Sequence, residues 1–174
     1  TTTSSEAQLW FDRGINWMYG YNHAEAIACF QRALEHDDAC AMAHWGIAYA
    51  SGPNYNLPWV RLDPAGKTAA LAASHDATQL ALSHAAGAGE VEQALIRALP
   101  ARYPQRDPID DQRGWDSDYA DAMREVHKDH SDDLEVCALF AEAIMNRTPW
   151  KMWDLKTGGV AKGAGTLEAQ EVLE

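Results

Sequence analysis

Apolar side chains recur at intervals of three and four residues from Ala7 to about His36, which is the spacing of one face of an α-helix. The run YGYNH interrupts this pattern with Gly20 and Asn22, two residue types that favour turns. The segment is therefore predicted to form two helices joined by a short turn.

Similar apolar helical segments, separated by breakers, continue to the last residues of the chain. Further helices are predicted over residues 39–51, 64–86, 90–101, 114–129, 134–146 and 166–174. An insertion loop over 52–63 carries GPNYNLPW, and proline and charged residues predict an exposed loop over 103–113. We expect a single helical-repeat domain over 1–174.

The composition agrees with the helical pattern. Alanine occurs 31 times, whereas the β-branched residues valine and isoleucine occur six times each. Alanine is the strongest helix former, and β-branched residues are enriched in strands. The predicted fold class is all-α.

The net charge of the chain makes some classes of binding partner unfavourable. The formal net charge of −12 repels phosphates and anionic lipid headgroups, so nucleic-acid and membrane partners are not expected. There is no apolar run of the ~20 residues that a spanning helix needs, and the first residues lack signal-peptide features. Three cysteines without CxxC spacing predict reduced thiols and a cytoplasmic location.

Six residues of the first predicted hairpin have the spacing of the signature positions of a known helical repeat. They are Trp10, Gly14, Trp17, Ala26, Phe30 and Ala33. The hairpin resembles the tetratricopeptide repeat (TPR), in which small and aromatic residues let two helices pack closely. Gly46 and Tyr49 repeat the spacing of Gly14 and Trp17 in the second unit.

Three longer sequence segments extend the resemblance to TPR proteins. LWFDRGINWMYGYNHAEAIACFQRALEHD, CAMAHWGIAYASGPNYN and LFAEAIMNRTPWKMWDLKTG are similar to segments of long bacterial TPR proteins. The resemblance implies TPR-like hairpins stacked in a right-handed superhelix. It also implies that residues 1–174 are the amino-terminal part of a longer superhelix.

The leading functional hypothesis is a binding module or scaffold. Repeats of this class present a concave surface to a protein or peptide, or to the remaining repeats of the same protein. The candidate binding residues on helices are Asn16, Tyr49 and Asn146. Helical surfaces carry such side chains routinely, so a solvated surface is the alternative.

A second hypothesis is an enzyme or metal-binding protein. Its pocket would combine His44, Glu142 and the Asn54-Tyr55-Asn56 loop, completed by residues beyond this chain, and the first two could ligate a divalent metal. His44 and Glu142 interrupt small or apolar surroundings, so each needs a polar partner. The alternative is a structural role in which they hold adjacent helices in register.

Two tryptophans follow the predicted helix over 134–146. Because Pro149 ends that helix, Trp150 and Trp153 would either cap the core or line the mouth of a ligand cavity. The chain has no GxSxG, HExxH or CxxC sequence and no glycine-rich phosphate loop. Any active site would therefore combine side chains from separate helices.

Overall fold

The computed structural model describes residues 2–174, and this part of the chain is built from α-helices without a β-strand. The helices are α1 (Ser5–Tyr19), α2 (His23–His36), α3 (Ala41–Ser51), α4 (Pro64–His84), α5 (Glu90–Arg102), α6 (Arg113–Asp129), α7 (Leu134–Asn146) and α8 (Thr166–Leu173). Short 3₁₀ turns cover Trp59–Arg61 and Ala85–Gly87. The predicted all-α fold class is confirmed.

Side-chain caps set several helix starts. Ser4 accepts a hydrogen bond from the amide of Ala7, and Asp63 accepts one from Gly66. Asp133 accepts from the backbone at the start of α7. Each cap satisfies a backbone N–H that has no partner inside the helix.

Most consecutive helices pack against each other along the chain. α1 packs on α2, α2 on α3, and α3 on α4, while α5, α6, α7 and α8 form a second continuous series. α3 also contacts α1 and α5, so the odd-numbered helices lie next to one another in this region. Residues of α1, α3, α5 and α7 line one groove.

The phenyl ring of Phe30 fixes the approach of the first three helices. Phe30 is fully buried on α2, between Gly14 of α1 and Gly46 of α3. A Cβ at Gly46 would lie 2.6 Å from the Phe30 ring, too close for two carbon atoms. The three helices can therefore pack this tightly only with glycine at both positions.

Buried residues anchor both predicted loops to the helices. The predicted exposed loop over 103–113 is exposed over 104–111, whereas Tyr103 is 0% and Gln112 2% exposed, and the exposed Arg113 begins α6. In the insertion over 52–63, Trp59 is 1% exposed and packs edge-to-face on Trp115 of α6. Aromatic burial ties both segments to the helices.

No helix within residues 2–174 is long and apolar enough to cross a lipid bilayer.

Overpacking around Phe30 provides a test of the helix faces. We expect Gly46→Leu, and Ala26→Leu at a fully buried α2 position, to lower the free energy of unfolding by ~1–3 kcal/mol. Gly114→Ala is the control, because a Cβ at this helical glycine would meet nothing within 4 Å. Urea denaturation measures all three. Equal stability of Gly46→Leu and Gly114→Ala would contradict the packing described here.

Candidate functional site

A buried arginine lies at the centre of the helical array. Arg102, the last residue of α5, is 1% exposed. Its Nη2 donates a hydrogen bond of 2.8 Å to the carbonyl oxygen of Pro53. The guanidinium carbon lies 4.5 Å from the ring centre of Tyr49 and 4.9 Å from that of Tyr119. These aromatic faces partly replace the water that the charge has lost.

Glu142 of α7 provides the opposite charge. One carboxylate oxygen lies 3.9 Å from Arg102 Nη2 and accepts a 2.7 Å hydrogen bond from the Tyr49 hydroxyl. The other accepts a 2.6 Å hydrogen bond from the Asn146 side-chain amide, one turn further along α7. Glu142 therefore has partners from three helices, as the sequence predicted a carboxylate in apolar surroundings would need.

Burial perturbs the acids around this charge pair. It raises the pKa of the Tyr103 hydroxyl to about 12. It also raises the pKa of Asp116, which is 8% exposed on α6, to about 7. The positive charge of Arg102 opposes the shift at Asp116, and the negative charge of Glu142 adds to it. At neutral pH a large fraction of Asp116 therefore carries a proton.

A small cleft of about 70 Å³ opens beside the charge pair. It collects three of the predicted site residues, Tyr49, Asn54 and Glu142, and adds His23 at the start of α2. The Asn54 amide nitrogen lies 3.4 Å from Nδ1 of His23. Burial lowers the pKa of His23, which favours the neutral ring.

Within the predicted insertion loop, the Asn54-Tyr55-Asn56 triplet forms a turn. The side-chain oxygen of Asn54 accepts hydrogen bonds from the backbone amides of Asn56 and Leu57, which closes a tight turn. Asn56 itself is exposed, and Tyr55 is half-buried outside the cleft. Only Asn54 of the predicted Asn54-Tyr55-Asn56 triplet lines the cleft.

His44 lies in a different environment from Glu142. Its Nε2 is 2.9 Å from the carbonyl oxygen of Asp38, and its ring stacks on His84 with centroids 5.6 Å apart. No hydrogen bond or ion pair among the described residues joins His44 to Glu142. In residues 2–174 there is no group of three or more His, Cys, Asp or Glu side chains that could hold a metal ion. None of the cavities described for residues 2–174 is lined by both His44 and Glu142, so their shared pocket stays a prediction.

A groove of about 420 Å³ is bounded by α1, α3, α5 and α7. Its walls are mainly apolar: Phe11, Ile15, Met18, Met42, Trp45, Val91, Leu95 and Leu139. Four carboxylates also line it: Asp12, Glu92, Asp133 and Glu135. The predicted binding residue Asn16 lies here, exposed, and donates a 2.9 Å hydrogen bond to the backbone oxygen of Asp12.

The two tryptophans after α7 have different positions. Trp150 is 52% exposed and lines a separate cavity together with the predicted binding residue Asn146. Trp153 is 48% exposed and forms an isolated β-bridge with Val160, outside that cavity. Of the two predicted roles, lining a cavity therefore describes Trp150 only.

No protein-family model, curated protein or solved structure matches this chain. The resemblance to tetratricopeptide repeats therefore stays a prediction carried by its signature residues.

Neither Arg102 nor Asp116 was predicted from the sequence as a site residue, although each stands at a position of the apolar pattern of its helix. Arg102 continues the apolar stripe that Leu95 and Leu99 form on α5, because it stands seven and three residues after them. Asp116 stands three residues before Tyr119 on the buried face of α6. A charged residue on an apolar stripe predicts a buried polar contact.

Replacement of the buried guanidinium tests its structural role. We expect Arg102→Met to lower the free energy of unfolding by ~2–5 kcal/mol, because Pro53 and Glu142 lose a charged partner. Arg97→Met is the control on the same helix, since Arg97 is exposed, and its effect should stay within ~0.5 kcal/mol. Denaturant titration measures both. Similar losses in the two variants would contradict the central role of Arg102.

Asp116 gives the folding free energy a distinct pH dependence. The folded protein keeps this proton to about pH 7, whereas an unfolded aspartate loses it near pH 4. The folded state therefore binds more protons between these values, and its stability falls as the pH rises. We expect Asp116→Asn to gain ~1–3 kcal/mol relative to wild type between about pH 5 and pH 7. A difference that is constant over this range in urea titrations would contradict the raised pKa.

Proposed function

We propose that this chain is a helical-repeat binding module whose groove takes a peptide or protein segment with apolar and basic side chains. The hairpins would stack in a right-handed superhelix, with the groove on the concave face. The observation that carries the proposal is that α1, α3, α5 and α7 all contribute to one groove.

The groove walls suit apolar anchor residues. Trp45 stacks on Tyr49 with ring centres 5.0 Å apart, so its indole is held in place before any ligand arrives. Phe11 and Ile15 are only partly buried and stay accessible from the groove. Preformed apolar surface of this kind favours ligand side chains that leave water on binding.

The carboxylates favour lysine or arginine on the bound segment. Asp12 and Glu135 are exposed and stand on α1 and α7. The Tyr19 hydroxyl donates a hydrogen bond to Glu135, which connects α1 to α7 directly. Acidic side chains beside an apolar groove attract a cationic partner and repel an anionic one.

Two synthetic amphipathic peptides of about 12 residues test this proposal, one of leucine and lysine and one of leucine and glutamate. We expect the lysine peptide to bind, with an affinity that falls as salt is added, and the glutamate peptide not to bind. Replacing Asp12→Asn and Glu135→Gln together should weaken lysine-peptide binding about three- to tenfold. Fluorescence anisotropy of labelled peptides measures these affinities.

A matched variant separates the groove from the overall acidity of the chain. Glu25→Gln with Asp118→Asn removes the same charges from the first turn of α2 and an exposed position of α6, outside the groove. Lysine-peptide affinity should stay within about twofold of wild type in this control. Equal weakening by both double variants would show nonspecific charge attraction and overturn the proposal. Absence of lysine-peptide binding would overturn it too.

A further inference from the structure

A second cavity, of about 510 Å³, lies apart from the groove. The insertion contributes Pro58, Trp59 and Val60, and the start of α6 contributes Arg113 and Asp116. The end of α7 and the following segment complete it through 146–151 and 161–162. We call it the cation-lined cavity.

Its charge is opposite to that of the whole chain. Four basic residues line it, Arg113, Arg147, Lys151 and Lys162, against a single carboxyl group, Asp116, in a protein of net charge −12. Arg113 forms an ion pair of 2.6 Å with Asp111. Within residues 2–174, the ion pairs use other cations than Arg147, Lys151 and Lys162. Three positive charges therefore remain available for an anion.

Two buried polar residues line the same cavity. Asn146 is 8% exposed, and its amide nitrogen is used by Glu142, while its side-chain oxygen has no hydrogen-bond partner in the described chain. That oxygen has almost no accessible surface, so Asn146 is part of the cavity wall and is not placed to bond a ligand directly. Asp116 is also 8% exposed and, when protonated, can donate a hydrogen bond.

Two tryptophan side chains also line the cation-lined cavity. Trp59 is 1% exposed, whereas Trp150 is half exposed at the edge of the cavity. The backbone of Trp150 has a φ of 61°, in the left-handed region that non-glycine residues rarely adopt. Such backbone strain is concentrated at binding sites. The Arg61 guanidinium lies 5.9 Å from the Trp150 ring centre, on an aromatic surface that a planar ring could also use.

We propose that the cation-lined cavity binds a nucleoside monophosphate. The base stacks on Trp150, and the phosphate lies near Arg147, Lys151 and Lys162. A dianionic phosphate matches several unpaired cations better than a single carboxylate does. A planar base uses an indole face that a compact anion would leave unused. This inference is independent of peptide binding in the groove.

Isothermal titration with the 5′-monophosphates of adenosine, guanosine, cytidine and uridine tests the proposal directly. We expect at least one of them to bind with a Kd below about 1 mM. Its parent nucleoside and ribose 5-phosphate, which lack the phosphate and the base respectively, should each bind at least about tenfold more weakly. Absence of binding by all four would overturn the proposal. Equal binding of ribose 5-phosphate would overturn it too, because it would show an anion site that ignores the base.

Paired variants locate the binding. Trp150→Leu should weaken the affinity for the monophosphate about tenfold. Trp153→Leu, at a similarly exposed tryptophan outside the cavity, should leave this affinity unchanged. Lys151→Gln with Lys162→Gln should also weaken it about tenfold, and Lys128→Gln with Lys156→Gln serves as the charge-matched control. Circular dichroism and thermal melts confirm that each variant is folded. Equal affinities within either variant–control pair would place the ligand elsewhere and overturn the assignment.

Discussion

The guanidinium of Arg102 is the constraint around which the middle of the molecule is arranged. A positive charge with 1% exposure is stable only if surrounding groups replace most of its hydration. Here the backbone of Pro53, the rings of Tyr49 and Tyr119 and the carboxylate of Glu142 do so. These groups come from the insertion, α3, α6 and α7, so the charge on α5 fixes the relative positions of all of them.

The same charge pair connects the small cleft to the cation-lined cavity. Glu142 lines the small cleft, and its hydrogen-bond partner Asn146 lines the cation-lined cavity one turn further along α7. Acidic side chains line the groove, whereas basic side chains line the cavity. An acidic protein therefore presents two depressions whose lining residues carry opposite charges.

Much of the helical architecture could be predicted from the sequence because it depends on local rules. The apolar period and the turn residues Gly20 and Asn22 predict the first two helices, and the structure has them at Ser5–Tyr19 and His23–His36. The small residue at Gly46 predicts a close helix contact, which the structure shows against Phe30. The burial of Tyr103 could not be predicted in this way, because residues distant in sequence bury its side chain.

The candidate sites show which contacts between residues cannot be predicted from the sequence. Composition and spacing alone determined an acidic, all-helical chain, and they indicated Tyr49, Asn54, Glu142 and Asn146 as candidate site residues. Only the tertiary structure decided that these four are linked directly or through the small cleft, while His44 bonds elsewhere. Periodicity reports which face of a helix is buried, but the neighbour across that face depends on packing between segments far apart in the chain.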